Sequence, residues 1–268
     1  MNQKHIELIK NQAIAPTNIK QVKKVINKEI LESSLFTTTE YGQRFIYKIS
    51  DSKTAMHNLL LSQILAKNNI PVPDSKIFVS ENTYFEKYKA IPGVTASLVI
   101  ANDLLNHQDI LEILQKILAL DKQISDIKLN DTTLASELVL CNRRKNHHVK
   151  TYGKFFANIY YQINKKQTMS GNVSLHHFDL NPSNILLDEN NNIRALLDLD
   201  SITICNEYPM LLQILSFWPN ISVDEIAEIY KKTFNRDINI KHLKHLVRLR
   251  KIKKHIANQI LKVKTKTK

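Results

Sequence analysis

Residues 175–188 read LHHFDLNPSNILLD, and residues 193–200 read IRALLDLD. The first stretch places two histidines, an aspartate and two asparagines directly before an apolar run. Polar side chains inside apolar surroundings cost free energy unless a partner pairs with them. The stretch is therefore either an ordinary turn or a site that handles charge. The letters ENNN at 189–192 are typical of a turn, so ILLD and IRALLDLD predict a short hairpin.

Length and composition indicate a globular protein. The chain has 268 residues, 43% of them hydrophobic, which is enough for one large domain or two lobes with a buried core. Cys141 and Cys205 show no paired or metal-type spacing, so we expect no disulfide framework and a reducing compartment. We also expect no signal peptide, and no apolar run reaches the roughly 18 residues of a membrane span. These features predict a soluble, cytoplasmic protein.

The net charge of +13 is concentrated near the end of the chain. No acidic residue follows Asp237, whereas residues 241–268 carry eleven lysines and arginines. A segment of one sign is either the solvated face of a helix or a surface that attracts a polyanion such as RNA or heparin. Both interpretations of this basic tail stay open.

The residues up to about 90 predict a strand-rich N-terminal lobe. We expect a helix over the first thirty residues, with Thr17 as an N-cap followed by Ile19, Val22, Val25 and Ile26 at helical spacing. SSLFTTTEYGQRFIYKIS at 33–50 predicts a hairpin that turns at EYGQ. TAMHNLLLSQILAKNN at 54–69 predicts a helix that IPVP ends, and a strand pair follows at 75–93.

Residues 91–268 predict a larger, helical C-terminal lobe that contains the polar hairpin. HQDILEILQKILAL at 107–120 places Ile110, Leu111, Leu114, Ile117 and Leu118 on one helical face. TYGKFFANIYYQIN at 151–164 carries aromatic residues at a similar spacing, which favours core packing. Helices return from YPMLLQIL at 208–215 onward.

The polar stretch resembles the aminoglycoside phosphotransferase and choline kinase family, which has the protein-kinase-like fold. The family pattern is His-x-Asp-(x)4-Asn, a hairpin, and then Ile/Leu-Asp-x-Asp. These positions are filled here by His177, Asp179, Asn184, Asp198 and Asp200. The resemblance implies an α+β, bilobal fold with a small β-rich lobe and a larger helical lobe.

Two further segments extend the resemblance through the N-terminal lobe. FIYKIS at 45–50 resembles the strand that bears the ATP-contacting lysine, here Lys48. YFEKYKAIPGVTAS at 84–97 resembles the hinge between the lobes, which implies that Glu86 and Tyr88 contact the cofactor. The resemblance thus covers most of the chain in the family's order.

The resemblance implies an ATP- and Mg²⁺-dependent kinase that moves the γ-phosphate to a hydroxyl of a small molecule. Asp179 would orient that hydroxyl and take its proton, and His177 would brace the loop. The metal ligands would be Asn184, Asp198 and Asp200, because Mg²⁺ prefers hard oxygen ligands. Lys48 would contact the α- and β-phosphates.

Several positions depart from the family pattern. The helix after Lys48 normally supplies a glutamate, but no acid follows Asp51 there, and His57 or Asn58 takes the place. The segment before Lys48 that should cover the nucleotide offers only Gly42. Phe178 replaces a small residue, and Pro209 replaces an aspartate. A slow enzyme or a nucleotide-binding pseudoenzyme is therefore an alternative.

Some of these residues also fit two other kinds of site. Asp198 and Asp200 also fit the Asp-x-Asp metal site of nucleotidyltransferases and glycosyltransferases, which stays an alternative. His176, His177 and Asp179 could ligate zinc, but the sequence shows no convincing set of further ligands at standard spacing.

Charge bears on the acceptor. From Cys205 to the end there are five acids against fourteen lysines and arginines, which argues against a polycationic aminoglycoside. A choline-like cation would need an aromatic cage, for which Tyr208 and Trp218 are candidates, although LSFWPN is also typical of a helix end packed on a core. A sugar, an amino alcohol or an amino acid is the predicted acceptor.

Overall fold

The computed structural model describes residues 2–12, 16–26, 29–139 and 172–251. The chain divides into two compact units. The first consists of Met1–Thr95 and Ile185–Asp200, and the second of Ala96–Asn184 and Ser201–Lys268. The hairpin that carries both aspartates of the Asp-x-Asp motif therefore groups with the N-terminal residues. The predicted assignment of nucleotide binding to residues 1–90 stays a prediction.

The first unit is built on a five-stranded antiparallel sheet. Its elements are α1 (Asn2–Gln12), β1 (Thr17–Ile26), β2 (Glu29–Glu40), β3 (Gln43–Ser50), α2 (Ser52–Lys67), β4 (Ser75–Ser80) and β5 (Thr83–Lys89). The strand order is β1-β2-β3-β5-β4, so β5 lies between β3 and β4. Ile9, Phe36, Tyr47 and Phe85 form the buried core of this sheet and α1.

The predicted helix over the first thirty residues is wrong beyond α1. Residues Thr17–Ile26 form a strand that pairs antiparallel with β2, with Lys20 opposite Thr37. The β-branched residues at helical spacing suit a strand equally well, and pairing with β2 decides between the two states. Ile19 packs against the core of the sheet from this strand.

The predicted hairpin at EYGQ is confirmed. β2 and β3 pair from Leu35 opposite Lys48 to Glu40 opposite Gln43. Tyr41 and Gly42 between them have φ of 48° and 75°, and positive φ at both central residues is typical of a two-residue hairpin turn that matches the strand twist. This register places Lys48 near the end of β3 that lies away from the turn.

The predicted helix after Lys48 is also confirmed. The side chain of Asp51 caps α2 by accepting a hydrogen bond from the backbone N of Thr54 at 2.9 Å. The helix ends at Lys67, shortly before Pro71. Its buried face carries polar residues as well as apolar ones: Ala55, His57, Asn58, Leu61, Ser62 and Leu65.

The predicted hairpin of the polar stretch is confirmed as part of a three-stranded sheet. The order is β6-β8-β9, with β6 at Val94–Thr95, β8 at Ile185–Leu187 and β9 at Ile193–Leu196. Asp188 closes the turn by accepting hydrogen bonds from the backbone N atoms of Asn190 and Asn192. The backbone N of Leu196 donates to the carbonyl of Pro71 at 2.8 Å, which ties β9 to the segment after α2.

The second unit is mainly helical. It contains α3 (Ala96–Ala101), α4 (His107–Ser125), α5 (Thr132–Leu138), α6 (Tyr208–Phe217), α7 (Val223–Phe234) and a helix over 240–251, with β7 (Ser174–His177) antiparallel to β10 (Ile202–Cys205). The predicted α4 is confirmed, although Leu111 is only half-buried and Ile113 is buried. None of the helices within the described ranges is long and apolar enough to cross a membrane.

Some predicted segments lie outside the described residues. These are the aromatic segment 151–164, Cys141, and residues 252–268 of the basic tail. Cys205 is buried, and its Sγ lies 3.7 Å from Oγ1 of Thr203. Polyanion binding by the tail therefore stays a prediction. The chain as described is an α+β protein with an antiparallel sheet in its N-terminal part and helices in its C-terminal part, which confirms the predicted fold class.

Candidate active site

The first unit pairs Lys48 with the two aspartates of the Asp-x-Asp motif. The Nζ atom of Lys48 lies 2.7 Å from Oδ2 of Asp200 and 3.3 Å from Oδ1 of Asp198. Both aspartates follow β9 directly, and Asp198 has φ of 61°, a left-handed conformation that aspartate tolerates better than most residues. The antiparallel sheet supplies the lysine and the hairpin supplies both acids.

The ion pairs keep Lys48 charged. Burial acts to lower the pKa of Lys48, but the carboxylates of Asp200 and Asp198 together raise it above its ordinary value. The sequence correctly indicates that α2 provides no acid for this lysine. It does not follow that Lys48 is unpaired, because the acids come from the hairpin instead.

Glu86 is the centre of a second group of hydrogen-bonded side chains near this ion pair. It is opposite Lys48 in the β3–β5 register and only 4% exposed. Its carboxylate accepts hydrogen bonds from Nδ2 of Asn58 at 2.9 and 3.1 Å and from the hydroxyl of Ser50. Burial raises the pKa of Glu86. Its predicted contact with the cofactor stays a prediction.

Asn58 connects this group with the ion pair. Besides its hydrogen bonds to Glu86, its Nδ2 donates to Oδ1 of Asp200. An amide nitrogen carries two hydrogens, so one side chain serves both carboxylates. Sequence reasoning identified the place of Asn58 but missed this role. The available signal was a polar side chain next to His57 in the helix that follows the lysine strand.

Tyr88 stands two residues further along β5. It pairs with Ile46 of β3 and Ser75 of β4, and its side chain is half-buried. Burial raises the pKa of Tyr88 to about 12, so its hydroxyl is protonated at neutral pH. Its predicted contact with the cofactor also stays a prediction.

The charge of the first-unit cluster suits a divalent cation. Two aspartates face one lysine, and the buried Glu86 adds a further carboxylate to this cluster. Among the residues that the structure describes, no group of three or more His, Cys, Asp or Glu side chains is arranged to hold a metal ion. Mg²⁺ commonly binds through one or two carboxylates together with waters and substrate phosphates, which this donor set fits.

The second unit holds the catalytic-loop residues of the predicted pattern. His177 ends β7 and is buried, and Asn184 ends the 3₁₀ turn Pro182–Asn184. Nδ2 of Asn184 donates to the backbone carbonyl of Asp179 at 2.9 Å and to its Oδ2 at 3.3 Å. Asp179 and Asn184 are therefore in direct contact, as the spacing of five residues allows.

Asp121 anchors the start of this loop, and sequence reasoning missed it. It is fully buried on α4, its Oδ1 accepts a hydrogen bond from the backbone N of His177 at 2.9 Å, and its Oδ2 lies 2.6 Å from Nδ1 of His176. The other ring nitrogen of His176 lies 2.9 Å from Oγ of Ser174. The available signal was an acid in line with Ile117 and Leu118 on the apolar face of the helix.

Trp218 supports the same loop from the end of α6. Its Nε1 donates to the carbonyl of Leu180 at 2.8 Å, and the residue is only 4% exposed. Tyr208 makes an edge-to-face contact with His242, with ring centroids 4.7 Å apart. The burial of Trp218 at the end of α6 fits the interpretation of LSFWPN as a helix end packed on a core.

No family model matches the sequence, and no curated protein does. Solved structures do match. An aminoglycoside 3'-phosphotransferase of type VIII is similar with a TM-score of 0.62 at 15% identity, over 90% of this chain and 95% of that one. A spectinomycin phosphotransferase in complex with ADP and spectinomycin has a TM-score of 0.60 at 13% identity, over 91% and 84%. An ethanolamine kinase of Plasmodium vivax has a TM-score of 0.53 at 16% identity, over 85% and 71%. The chain has the fold of these phosphotransferases and kinases, as the sequence resemblance predicts.

Proposed function

We propose that the protein is an ATP- and Mg²⁺-dependent phosphotransferase that moves the γ-phosphate to a hydroxyl of a small molecule. The observation that carries the proposal is the contact of Lys48 with Asp198 and Asp200. A lysine on the sheet beside two acids after a hairpin is the arrangement that phosphate and magnesium binding need. Solved structures of the same fold include complexes with ADP and with ATP, which supports the nucleotide.

In the first unit, each residue has a distinct role. Lys48 binds the α- and β-phosphates, and Asp198 would ligate magnesium. Asp200 would be a second magnesium ligand or the group that orients Lys48. Magnesium, when bound, offsets the negative charge of the phosphates. The ion pair with Asp200 keeps Lys48 in place before nucleotide arrives, because a charge-assisted hydrogen bond is strong and directional.

In the second unit, Asp179 orients the acceptor hydroxyl and takes its proton. The hydrogen bonds from Asn184 to Asp179 use the amide nitrogen of Asn184. Its side-chain oxygen Oδ1 is therefore the atom that would ligate magnesium. His177 braces the loop from the buried end of β7. Asp121 holds that end through the backbone N of His177.

The proposed acceptor is a sugar, an amino alcohol or an amino acid. The excess of lysine and arginine after Cys205 disfavours a polycationic ligand by simple charge complementarity. The fold of the phosphotransferases favours phosphoryl transfer over nucleotidyl or glycosyl transfer by Asp198 and Asp200. A kinase-like protein that binds nucleotide without turnover is the second candidate, because Gly42 is the one glycine of the hairpin before Lys48.

Thermal shift with Mg·ATP tests nucleotide binding. A ligand that binds only the folded state raises the melting temperature. At a hundredfold excess of ligand over Kd, the free energy of unfolding rises by about 2.7 kcal/mol. We expect a shift for the wild type and a much smaller one for Asp198→Ala. The absence of any shift in the wild type would reject the kinase proposal.

A γ-phosphate transfer screen over hydroxyl metabolites tests turnover. We expect transfer to at least one member of the sugar, amino alcohol or amino acid classes. Asp179→Asn should bind Mg·ATP as the wild type does while turnover falls by roughly 10²–10⁴-fold, as for loss of a general base. Nucleotide binding without transfer to any acceptor would favour the pseudoenzyme.

A further inference from the structure

The amide of Asn58 stands between two carboxylates. Its Nδ2 donates to Glu86 on β5 and to Asp200 after β9, and Asp200 in turn contacts Lys48. The order of contacts is therefore Glu86, Asn58, Asp200 and Lys48. All four residues belong to the first unit.

The buried carboxylate of Glu86 needs this environment. A carboxylate that is almost fully removed from water must be hydrogen-bonded or paired, or it costs several kcal/mol. Glu86 receives hydrogen bonds from Ser50 and Asn58, and it lies opposite Lys48 in the β3–β5 register. Glu86 is thus linked to Lys48 through Asn58 and Asp200.

The residue type at position 58 follows from the same geometry. An acid there would face the carboxylates of Glu86 and Asp200 with no hydrogen to donate. A neutral amide is the side chain of this size that can donate a hydrogen bond to each of the two carboxylates. In the family pattern the helix carries the acid; here α2 carries the amide and β5 carries the acid.

We propose that Glu86 is the positioning acid for Lys48, in place of a helix glutamate, and that Asn58 transmits its position to Asp200. This inference rests on the proposed function, because Lys48 and Asp200 are the groups it positions for Mg·ATP. Glu86 and Asn58 are positioning residues, since neither is required to touch the nucleotide. The departure at α2 is therefore compensated within the same unit.

The first test measures the affinity for Mg²⁺ and a non-hydrolysable ATP analogue by calorimetry. Glu86→Gln keeps the shape of the side chain and removes its charge, and we expect affinity to fall about tenfold, the effect of one charge-assisted hydrogen bond. Asn58→Asp should reduce affinity at least as much.

Two variants provide matched controls. Glu81→Gln makes the same change of charge at an exposed position in the turn before β5. Gln63→Glu adds an acid to an exposed position of α2. Both should bind the analogue within about twofold of the wild type. Wild-type affinity in Glu86→Gln or in Asn58→Asp would overturn the proposal.

The second test needs no nucleotide. Cyanate modifies only the neutral amine of lysine, so its rate at Lys48 reports how firmly the ion pair holds the charged form. We measure modification of Lys48 by mass spectrometry relative to the exposed Lys67 of the same protein. In Glu86→Gln this ratio should rise, by about tenfold for each unit by which the pKa of Lys48 falls, and it should not change in Glu81→Gln.

The two tests separate the inference from the proposed function. If the wild type does not bind the analogue, the kinase proposal fails, and the cyanate ratio alone decides whether Glu86 positions Lys48. If the wild type binds but the ratio in Glu86→Gln equals that of Glu81→Gln, the positioning role of Glu86 is rejected and the kinase proposal stands.

Discussion

Lys48 and Asp200 lie 152 positions apart in the sequence, yet Nζ of the lysine is 2.7 Å from Oδ2 of the aspartate. The contact joins β3 to the residues after β9 within one compact unit. A contact of this range closes a long loop, so it forms only once the hairpin has joined the N-terminal sheet. The ion pair is therefore a marker of the completed unit.

Removal of Lys48 should destabilise the protein through the acids left behind. Asp198 and Asp200 are 39% and 34% exposed, so water screens part of their repulsion, and we expect Lys48→Met to cost about 1–2 kcal/mol. Adding Asp200→Asn to this variant should return part of the stability. Urea unfolding of both variants and the wild type measures the effect, with Lys67→Met as an exposed control. A double variant less stable than Lys48→Met would contradict the prediction.

Loss of Asp121 should lower the free energy of unfolding more than loss of Lys48 does, because the partners of Asp121 are buried. Asp121→Ala leaves His176 and the backbone N of His177 without their acceptor, which should cost about 3–5 kcal/mol. Denaturant unfolding measures this cost. Asp126→Ala, directly after the same helix, is the matched control, because Asp126 is 62% exposed and its ion pair with Lys122 should be worth less than about 1 kcal/mol. Equal effects of the two variants would contradict the anchoring role.

Glu225 should make stability depend on pH at acid values. Its carboxylate accepts a hydrogen bond from the backbone N of Ser222 at 2.8 Å and lies 2.7 Å from Nε2 of His107, and the capping box with Ser222, aided by His107, lowers its pKa to about 2. A lowered pKa means that the folded state favours the charged form. The stabilisation is therefore present above about pH 4.5 and is lost as pH falls towards 2.

Melting temperatures of Glu225→Gln and the wild type at pH 6 and at pH 2.5 test this dependence. The variant should melt roughly 1–3 °C lower at pH 6, and the gap should narrow at pH 2.5. Glu228→Gln, one turn further along the same exposed face, is the control. A gap of the same size at both pH values would show that the effect of Glu225 does not depend on its charge.

Gly93 should not tolerate a side chain. It has φ of 149°, and a Cβ atom there would lie 2.6 Å from the carbonyl oxygen of Leu187 and 2.9 Å from Cγ of Leu186. Because the nearest atom is backbone, β6 and β8 must separate to accept alanine, and we expect Gly93→Ala to cost at least about 2 kcal/mol. Unfolding in urea measures this. Gly42→Ala is the contrast, because its new Cβ atom would meet no atom within 4 Å. It should lose less stability than Gly93→Ala, and only because of its positive φ.

Local patterns predicted the elements that local chemistry determines. The turn at Tyr41 and Gly42, the start of α2 after Asp51 and the turn after Asp188 are formed by residues close in sequence, so their signals are visible in short windows. The strand Thr17–Ile26 was missed because its identity depends on pairing with β2. A spacing that fits a helix and a strand alike cannot reveal which partner is present.

The same distinction applies to the candidate site. The motif residues from His177 to Asp200 were named by their resemblance to the family pattern, and their roles stay predictions. Asp121 and Glu86 were not assigned their contacts, since each meets partners from distant elements. Buried polar residues on otherwise apolar faces were the remaining signal.

The division of the first unit between residues 1–95 and 185–200 also affects the order of events during synthesis. The ribosome releases the N-terminal sheet long before it has made β8 and β9. At about 5–20 residues per second, the 105 residues from 96 to 200 take roughly 5–20 s to appear. Over that interval β6 has no β8 to pair with and Lys48 has no aspartate. A nascent chain arrested in this interval should therefore be more open to chaperones and proteases at this unit than the finished protein.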